Sequence, residues 1–150
     1  MSVNANLIKE LREKSGAGMV DCKNALLQND NNVEKSIDWL RKKGLSVAAK
    51  KSGRVAAEGL VGVNIINNQA CLIEINSETD FVSRNEQFQK FVSDCSKIAV
   101  TTNGDLKNLL KSKFINSDNT VEDELTKNVA TIGENLKIRR IEKITLDGPG

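Results

Sequence analysis

The sequence predicts an α+β protein: an N-terminal three-helix domain, then an antiparallel three-stranded sheet packed with helices. Three observations carry that expectation. Three short helical stripes fill about the first forty residues. Two alternating apolar runs follow, hinged at Asn67-Asn68. A strongly patterned helix comes directly after them, and a last alternating run lies near the end of the chain.

In the first part, Leu7, Ile8 and Leu11 share one helical face, and Gly16 suits the stop. Met19, Cys22, Ala25 and Leu26 form a second stripe. Neighbouring helix residues point about 100° apart, so Met19 and Val20 cannot both face one small core, and Val20 is the better candidate for an exposed apolar contact. Asn32 is a good N-cap for a third helix bearing Val33, Ile37 and Leu40 and ending at Gly44. This gives a domain over residues 1–43. Arg41, Lys42, Lys43, Lys50, Lys51 and Arg54 have no acidic residue among them, so residues 44–55 read as a basic linker or short basic helix. The α+β core is expected over 56–150.

Within that core, Val61, Val63 and Ile65 alternate on one strand, and Cys71, Ile73 and Ile75 on its return. Asn67-Asn68 supplies the turn, because Asn tolerates positive φ. Phe88, Phe91, Val92, Cys95, Ile98 and Ala99 then follow helical spacing from about residue 84 to 101. Ser83 and Glu86 fit a capping box at its start. Leu106, Leu109 and Leu110 mark a short helix before Phe114. Thr120 with Asp123 resembles another cap, and Gly133 a stop. Residues 136–147 read as a strand, with Leu136, Ile138, Ile144 and Leu146 alternating and a bulge near Arg140-Ile141. The chain closes on Gly148-Pro149-Gly150, which reads as loop and as part of a longer parent.

Composition removes many functions. With no histidine there is no Ser-His or Cys-His nucleophile pair and no His-ligated zinc. There is no Cys-x-x-Cys pair, no phosphate loop and no dinucleotide fingerprint. Catalytic residues, metal and cofactor are therefore expected to be none. Tyr is absent and aromatics are 3%, which disfavours base-stacking modules. Cys22, Cys71 and Cys95 are odd in number and widely spaced, as befits reduced, buried thiols. No apolar run reaches the roughly 20 residues of a membrane span, and no signal region precedes the first helix. Charge is uneven: residues 1–54 carry 11 Lys/Arg against 6 Asp/Glu, the remainder 11 against 14.

The stretch Ser77-Glu78-Thr79-Asp80-Phe81-Val82 joins a strand to the best-patterned helix. The cap at Ser83 leaves Asp80, Phe81 and Val82 outside that helix and held close to it. Val82 has the place of an inward-packing staple, and Asp80 that of a local turn or cap acceptor. Phe81 has two readings. The residues alone favour a core position under the hairpin; the rigid elements on either side also fit it for presentation to another protein.

Three segments coincide in order: Ser15-Gly16-Ala17-Gly18-Met19-Val20-Asp21-Cys22-Lys23-Asn24-Ala25-Leu26, Thr79-Asp80-Phe81-Val82, and Ile132-Gly133-Glu134-Asn135-Leu136-Lys137-Ile138-Arg139-Arg140. Together they closely resemble the elongation factor Ts family of bacteria and organelles, over essentially the whole chain. The resemblance implies a ubiquitin-associated-like N-terminal domain and the first half of the family's dimerisation-type core. It implies a translation factor of the bacterial cytoplasm, not an enzyme. Such a factor exchanges guanine nucleotide on elongation factor Tu, which it binds in the GDP and nucleotide-free forms, with no membrane and no direct nucleic-acid contact. Carried over by motif, Met19 and Val20 supply apolar contact, with Lys23 and Arg12 as polar neighbours; Val20 stands where Met is frequent. Asp80 and Phe81 enter near the partner's magnesium and phosphate region, and Thr79 and Val82 hold that loop. Many members continue into a second core half and a coiled-coil protrusion. Two rivals remain: a helical module recognising ubiquitin-like or peptide ligands through Met19 and Val20, and a nucleic-acid accessory protein using Arg41 to Arg54. An enzyme built on Glu74, Glu78 and Asp80 is the weakest reading.

Overall fold

The computed structural model describes residues 2–148. The chain divides into two compact units, Met1–Lys50 and Lys51–Gly150. Pro149 and Gly150, expected as loop, lie outside the described residues.

The first unit holds three helices. α1 spans Ala5–Ser15, with the Asn4 side chain accepting the Asn6 N–H at its start and Gly16 in the left-handed region at its end. α2 spans Met19–Gln28. Asp30 and Asn31 take positive φ and turn the chain, a conformation their short polar side chains tolerate. α3 then starts with the Asn32 carboxamide oxygen accepting the Lys35 N–H at 2.9 Å. Leu11, Cys22, Ala25 and Leu26 are fully buried, packed by Leu7, Ile8, Val33, Ile37, Trp39 and Leu40.

α3 does not stop at Gly44. It spans Val33–Lys51, so residues 44–51, expected as a basic linker or short basic helix, continue the same helix. An interior glycine costs a helix only about 1 kcal/mol relative to alanine. Ala48, Ala49, Lys50 and Lys51 beyond it are good helix formers, and no proline breaks the run. Met19, counted in the α2 core stripe, also lies outside: it is 60% exposed, beside Val20 at 71%. Its place at the first position of α2 lifts it off the core that Cys22 and Leu26 fill.

The second unit is built on an antiparallel sheet in the order β1 (Glu58–Ile66), β2 (Gln69–Ser77), β3 (Lys137–Thr145). Asn67, at φ 54°, makes the hairpin turn. After β2 come a single helical turn, α4 (Asp80–Ser83), then α5 (Glu86–Ala99), α6 (Leu106–Lys111) and α7 (Val121–Ile132). α5 packs across β1 and β2. Its buried stripe includes Phe88, Phe91, Val92, Cys95, Ile98 and Ala99, and Phe91 stacks on Phe114 at 5.9 Å between centroids. Thr120 and Asp123 form the expected capping box of α7, which ends at Gly133 in the left-handed region.

Three local expectations are corrected. The cap of α5 is Asn85, whose carboxamide oxygen accepts the Phe88 N–H at 3.0 Å. Ser83 is spent elsewhere: its hydroxyl donates to the Gly59 carbonyl at 3.1 Å. The alternating residues Val61, Val63 and Ile65 share a face, but it is the exposed one, at 58%, 55% and 68%. The inward face of β1 carries Leu60, Gly62 and Asn64, opposite Ile75, Ile73 and Cys71. Gly62 is there because α5 comes close: a Cβ would lie 2.9 Å from Val92 Cγ1 and 3.1 Å from Ile73 Cγ2. Finally, the bulge falls at Arg139, since Glu74 pairs with Arg140 but Ile75 with Ile138. The extra residue resets the alternation. Ile138 and Ile141 are thus both buried, while Ile144 and Leu146 turn outward.

Candidate partner-binding surfaces

The joint between β2 and α5 is built from polar contacts that fix its backbone and leave one ring outside. Ser77 is buried and donates its hydroxyl to the Thr79 carbonyl at 2.9 Å. Thr79 is the extended N-cap residue of α4, yet its side chain makes no capping bond. Its hydroxyl donates instead to Glu134 Oε1 at 2.6 Å. The Glu134 Oε2 atom accepts the backbone N–H groups of Glu78 and Thr79, each at 3.0 Å. In return Glu78 Oε1 accepts the Asn135 N–H at 2.7 Å. Arg54 adds an ion pair to Glu78 at 3.5 Å, and Asn135 donates its side-chain amide to the Arg54 carbonyl at 2.8 Å.

On this base α4 makes one turn, closed by the Arg84 and Asn85 N–H groups bonding to the Phe81 and Val82 carbonyls at 3.1 and 2.9 Å. Neighbouring residues on a helical turn face different ways, and α4 uses this to sort two apolar side chains. Val82 is 7% exposed and packs inward, although with Asn85 as the cap it no longer holds the staple position, whereas Phe81 is 77% exposed. The reading of Phe81 as core under the hairpin is therefore corrected: α5, with Phe88 and Val92, already covers that face of the hairpin. Asp80 is exposed in the first turn of α4.

The carboxylates Glu74, Glu78 and Asp80 do not converge. Glu74 lies on the outer sheet face within 3.3 Å of Arg139 and 3.2 Å of Arg140. Its surroundings raise its pKa by desolvation, but a hydrogen bond with Asn76 and the two guanidinium charges outweigh this and hold it low. Glu78 is tied into the Glu134 contact, and Asp80 stands apart from both. Among the described residues no group of three His, Cys, Asp or Glu could hold a metal ion, and no helix is long and apolar enough to cross a membrane.

The remaining candidates lie on the first unit. Arg12 and Met19 line a shallow groove of about 590 Å³ with Ile8, Lys9 and Ala17. Val20 and Lys23 are exposed on α2 just beyond it. Asp21 is taken by Lys43 at 2.6 Å, and the same ammonium sits 5.5 Å from the Trp39 ring centroid. The lining is chiefly apolar and carries charges of both signs, Lys9 and Arg12 with Glu13.

Sequence reasoning missed a role for Glu134, Glu78, Asn135 and Gly59 in fixing the Phe81 turn. Glu134-Asn135 stood inside a recognisable motif, but no local pattern could signal bonds to residues 55 and 56 positions earlier.

Comparison with known proteins gives one consistent answer. The family model described as elongation factor TS matches residues 78–149. The elongation factor Ts of Rhodospirillum centenum is 54% identical over 144 residues, covering 96% of this chain and 47% of that protein. That of Methylorubrum populi is 52% identical over 143 residues, covering 95% and 47%. That of Xanthobacter autotrophicus is 51% identical over 145 residues, covering 97% and 47%. The chain spans about half the length of these curated relatives. With this identity running through both units, the chain belongs to the elongation factor Ts family.

Proposed function

We propose that this chain acts in translation elongation as a guanine-nucleotide exchange factor: it binds elongation factor Tu carrying GDP and promotes release of the nucleotide. The observation that carries the reading is Phe81, an aromatic ring 77% exposed on a turn whose backbone is fixed from both sides. An exposed Phe on a mobile loop would lose much of its binding energy to ordering; a fixed one does not. The partner holds GDP partly through Mg²⁺, whose ligation must stay near octahedral. Phe81, with Asp80 beside it, wedges against the elements that shape that site, the ion loses ideal geometry, and GDP leaves. No bond is made or broken by the factor itself, which works in the bacterial cytoplasm and is not an enzyme.

Exchange is a coupling free energy, so a factor that weakens nucleotide binding is weakened equally by nucleotide. Each tenfold of coupling needs about 1.4 kcal/mol, and one buried aromatic supplies about 1.5–3 kcal/mol. Phe81 therefore needs a second source of docking energy. The groove at Arg12 and Met19, with Val20 and Lys23 beside it, is the surface we assign to that role.

The test is release of a fluorescent GDP analogue from elongation factor Tu in excess unlabelled GDP, with and without this chain. Acceleration is the expected result. A folded chain that neither binds the partner nor accelerates release overturns the proposal. The rival peptide-binding reading predicts ligand capture by residues 1–54 alone. The nucleic-acid reading predicts binding that falls steeply with salt.

A further inference from the structure

We propose that Glu134 is the positioning residue for the exchange wedge: its single carboxylate fixes the backbone two residues before Phe81 and so sets where the ring points. The proposal rests on the exchange reading above. Its basis is geometric. Glu134 lies just past the C-terminal glycine of α7, and accepts three hydrogen bonds from the β2–α4 joint: the Glu78 N–H and Thr79 N–H at 3.0 Å and the Thr79 hydroxyl at 2.6 Å. All three are charge-assisted and end on one group. The Thr79 side chain makes no capping bond to α4; its hydroxyl donates to Glu134 instead.

The contact is reciprocal. Glu78 Oε1 accepts the Asn135 N–H at 2.7 Å, so the segments 78–79 and 134–135 strap each other, each carboxylate satisfying the other segment's backbone. Such a strap resists rocking of the joint in a way one bond would not. Only Asp80 separates Thr79 from Phe81, and the chain there is already helical, so a rotation at Thr79 passes directly to the ring. The strap's hydrogen bonds involve Glu78, Thr79, Glu134 and Asn135, none of them among the buried apolar residues Val82, Ile75, Phe88 and Ile138. Losing Glu134 therefore frees the turn and leaves the sheet and α5 in place.

The experiment is a double-mutant cycle on the full chain with Glu134→Ala, Phe81→Ala and the pair. It is read as the maximal rate of stimulated GDP release and the factor concentration giving half of it. Glu134→Ala should lower the maximal rate about fivefold while moving the half-saturating concentration less than about threefold, because the surface at Met19 and Val20 is untouched. In the Phe81→Ala background the same change should add less than about twofold, since Glu134 acts through the ring. Glu134→Asp, which keeps the charge but shortens the reach, should fall between Ala and wild type. Amide hydrogen exchange supplies a readout independent of activity: Glu78 and Thr79 should lose protection in Glu134→Ala while Ile73 and Ile75 keep theirs.

Effects of Glu134 and Phe81 that multiply, a wild-type maximal rate in Glu134→Ala, or unchanged protection at Thr79 would overturn the positioning role. A wild-type chain that does not stimulate release strikes the exchange reading instead, and the amide-exchange arm still decides whether Glu134 holds the turn.

Discussion

Replacing Phe81 by alanine separates folding from function, because the ring is largely outside the core. Full burial of a phenylalanine is worth about 1.5–3 kcal/mol. With the ring 77% exposed, only about a quarter of that is at stake in the fold, so Phe81→Ala should cost well under 1 kcal/mol in urea unfolding. The rest is available to a partner. If the partner covers the ring, the missing contact is worth roughly 1–2.3 kcal/mol, or a 5- to 50-fold slower stimulated GDP release. Phe81→Leu, which keeps most of the apolar surface, should recover a good part of the rate. The assay pairs stopped-flow release with urea unfolding of the same preparations. A stability loss above about 2 kcal/mol would mean the ring is a core residue and the surface argument fails. An unchanged release rate would mean the ring is exposed for some other reason.

Gly62→Ala should destabilise the second unit by about 1–3 kcal/mol, because the new methyl group meets Val92 Cγ1 at 2.9 Å and the Val92 carbonyl oxygen at 3.2 Å. A melting temperature within 2 °C of wild type would show that α5 slides off the sheet at little cost. Asn85→Ala should cost about 1 kcal/mol and remove amide protection at Phe88, whereas Ser83→Ala should leave Phe88 protected; the reverse pattern in hydrogen exchange would restore Ser83 as the cap. Burial raises the thiol pKa of Cys22, Cys71 and Cys95, most strongly Cys95, where the Asp94 and Glu124 charges add to it. The folded thiols thus keep their protons above pH ~8.5 while unfolded ones ionise. Stability from this source is fully present below that pH and falls as pH rises, by at most about 1.4 kcal/mol per pH unit for each thiol. Urea unfolding at pH 7.5 and 9.5 checks the sign, with Cys95→Ala flattening the slope. Native thiols should react with an aromatic disulfide reagent only on unfolding, and rapid labelling of the folded chain would contradict their burial.

Much of this molecule was legible in its residues because local physics specifies it. The helical spacing of α5, the capping box at Thr120 and Asp123, the Asn67 turn and the stop at Gly133 each depend on side chains within a few positions of one another. The family, too, was readable from three motifs in order. What the sequence could not settle were choices between equally patterned alternatives. Both faces of β1 carry apolar residues, and only the approach of α5 to Gly62 made Val61, Val63 and Ile65 the outer set. One extra residue at Arg139 reversed the facing of Ile144, because strand side chains alternate with a period of two. Gly44 carries a helix-stop signal of only about 1 kcal/mol, which the helix formers after it outweigh. Phe81 is outside because the space beneath the hairpin was already filled. Glu134 reaches Thr79, two residues before Phe81, across 55 residues of chain, through bonds that exist only once the segment after α7 has been brought against the end of β2.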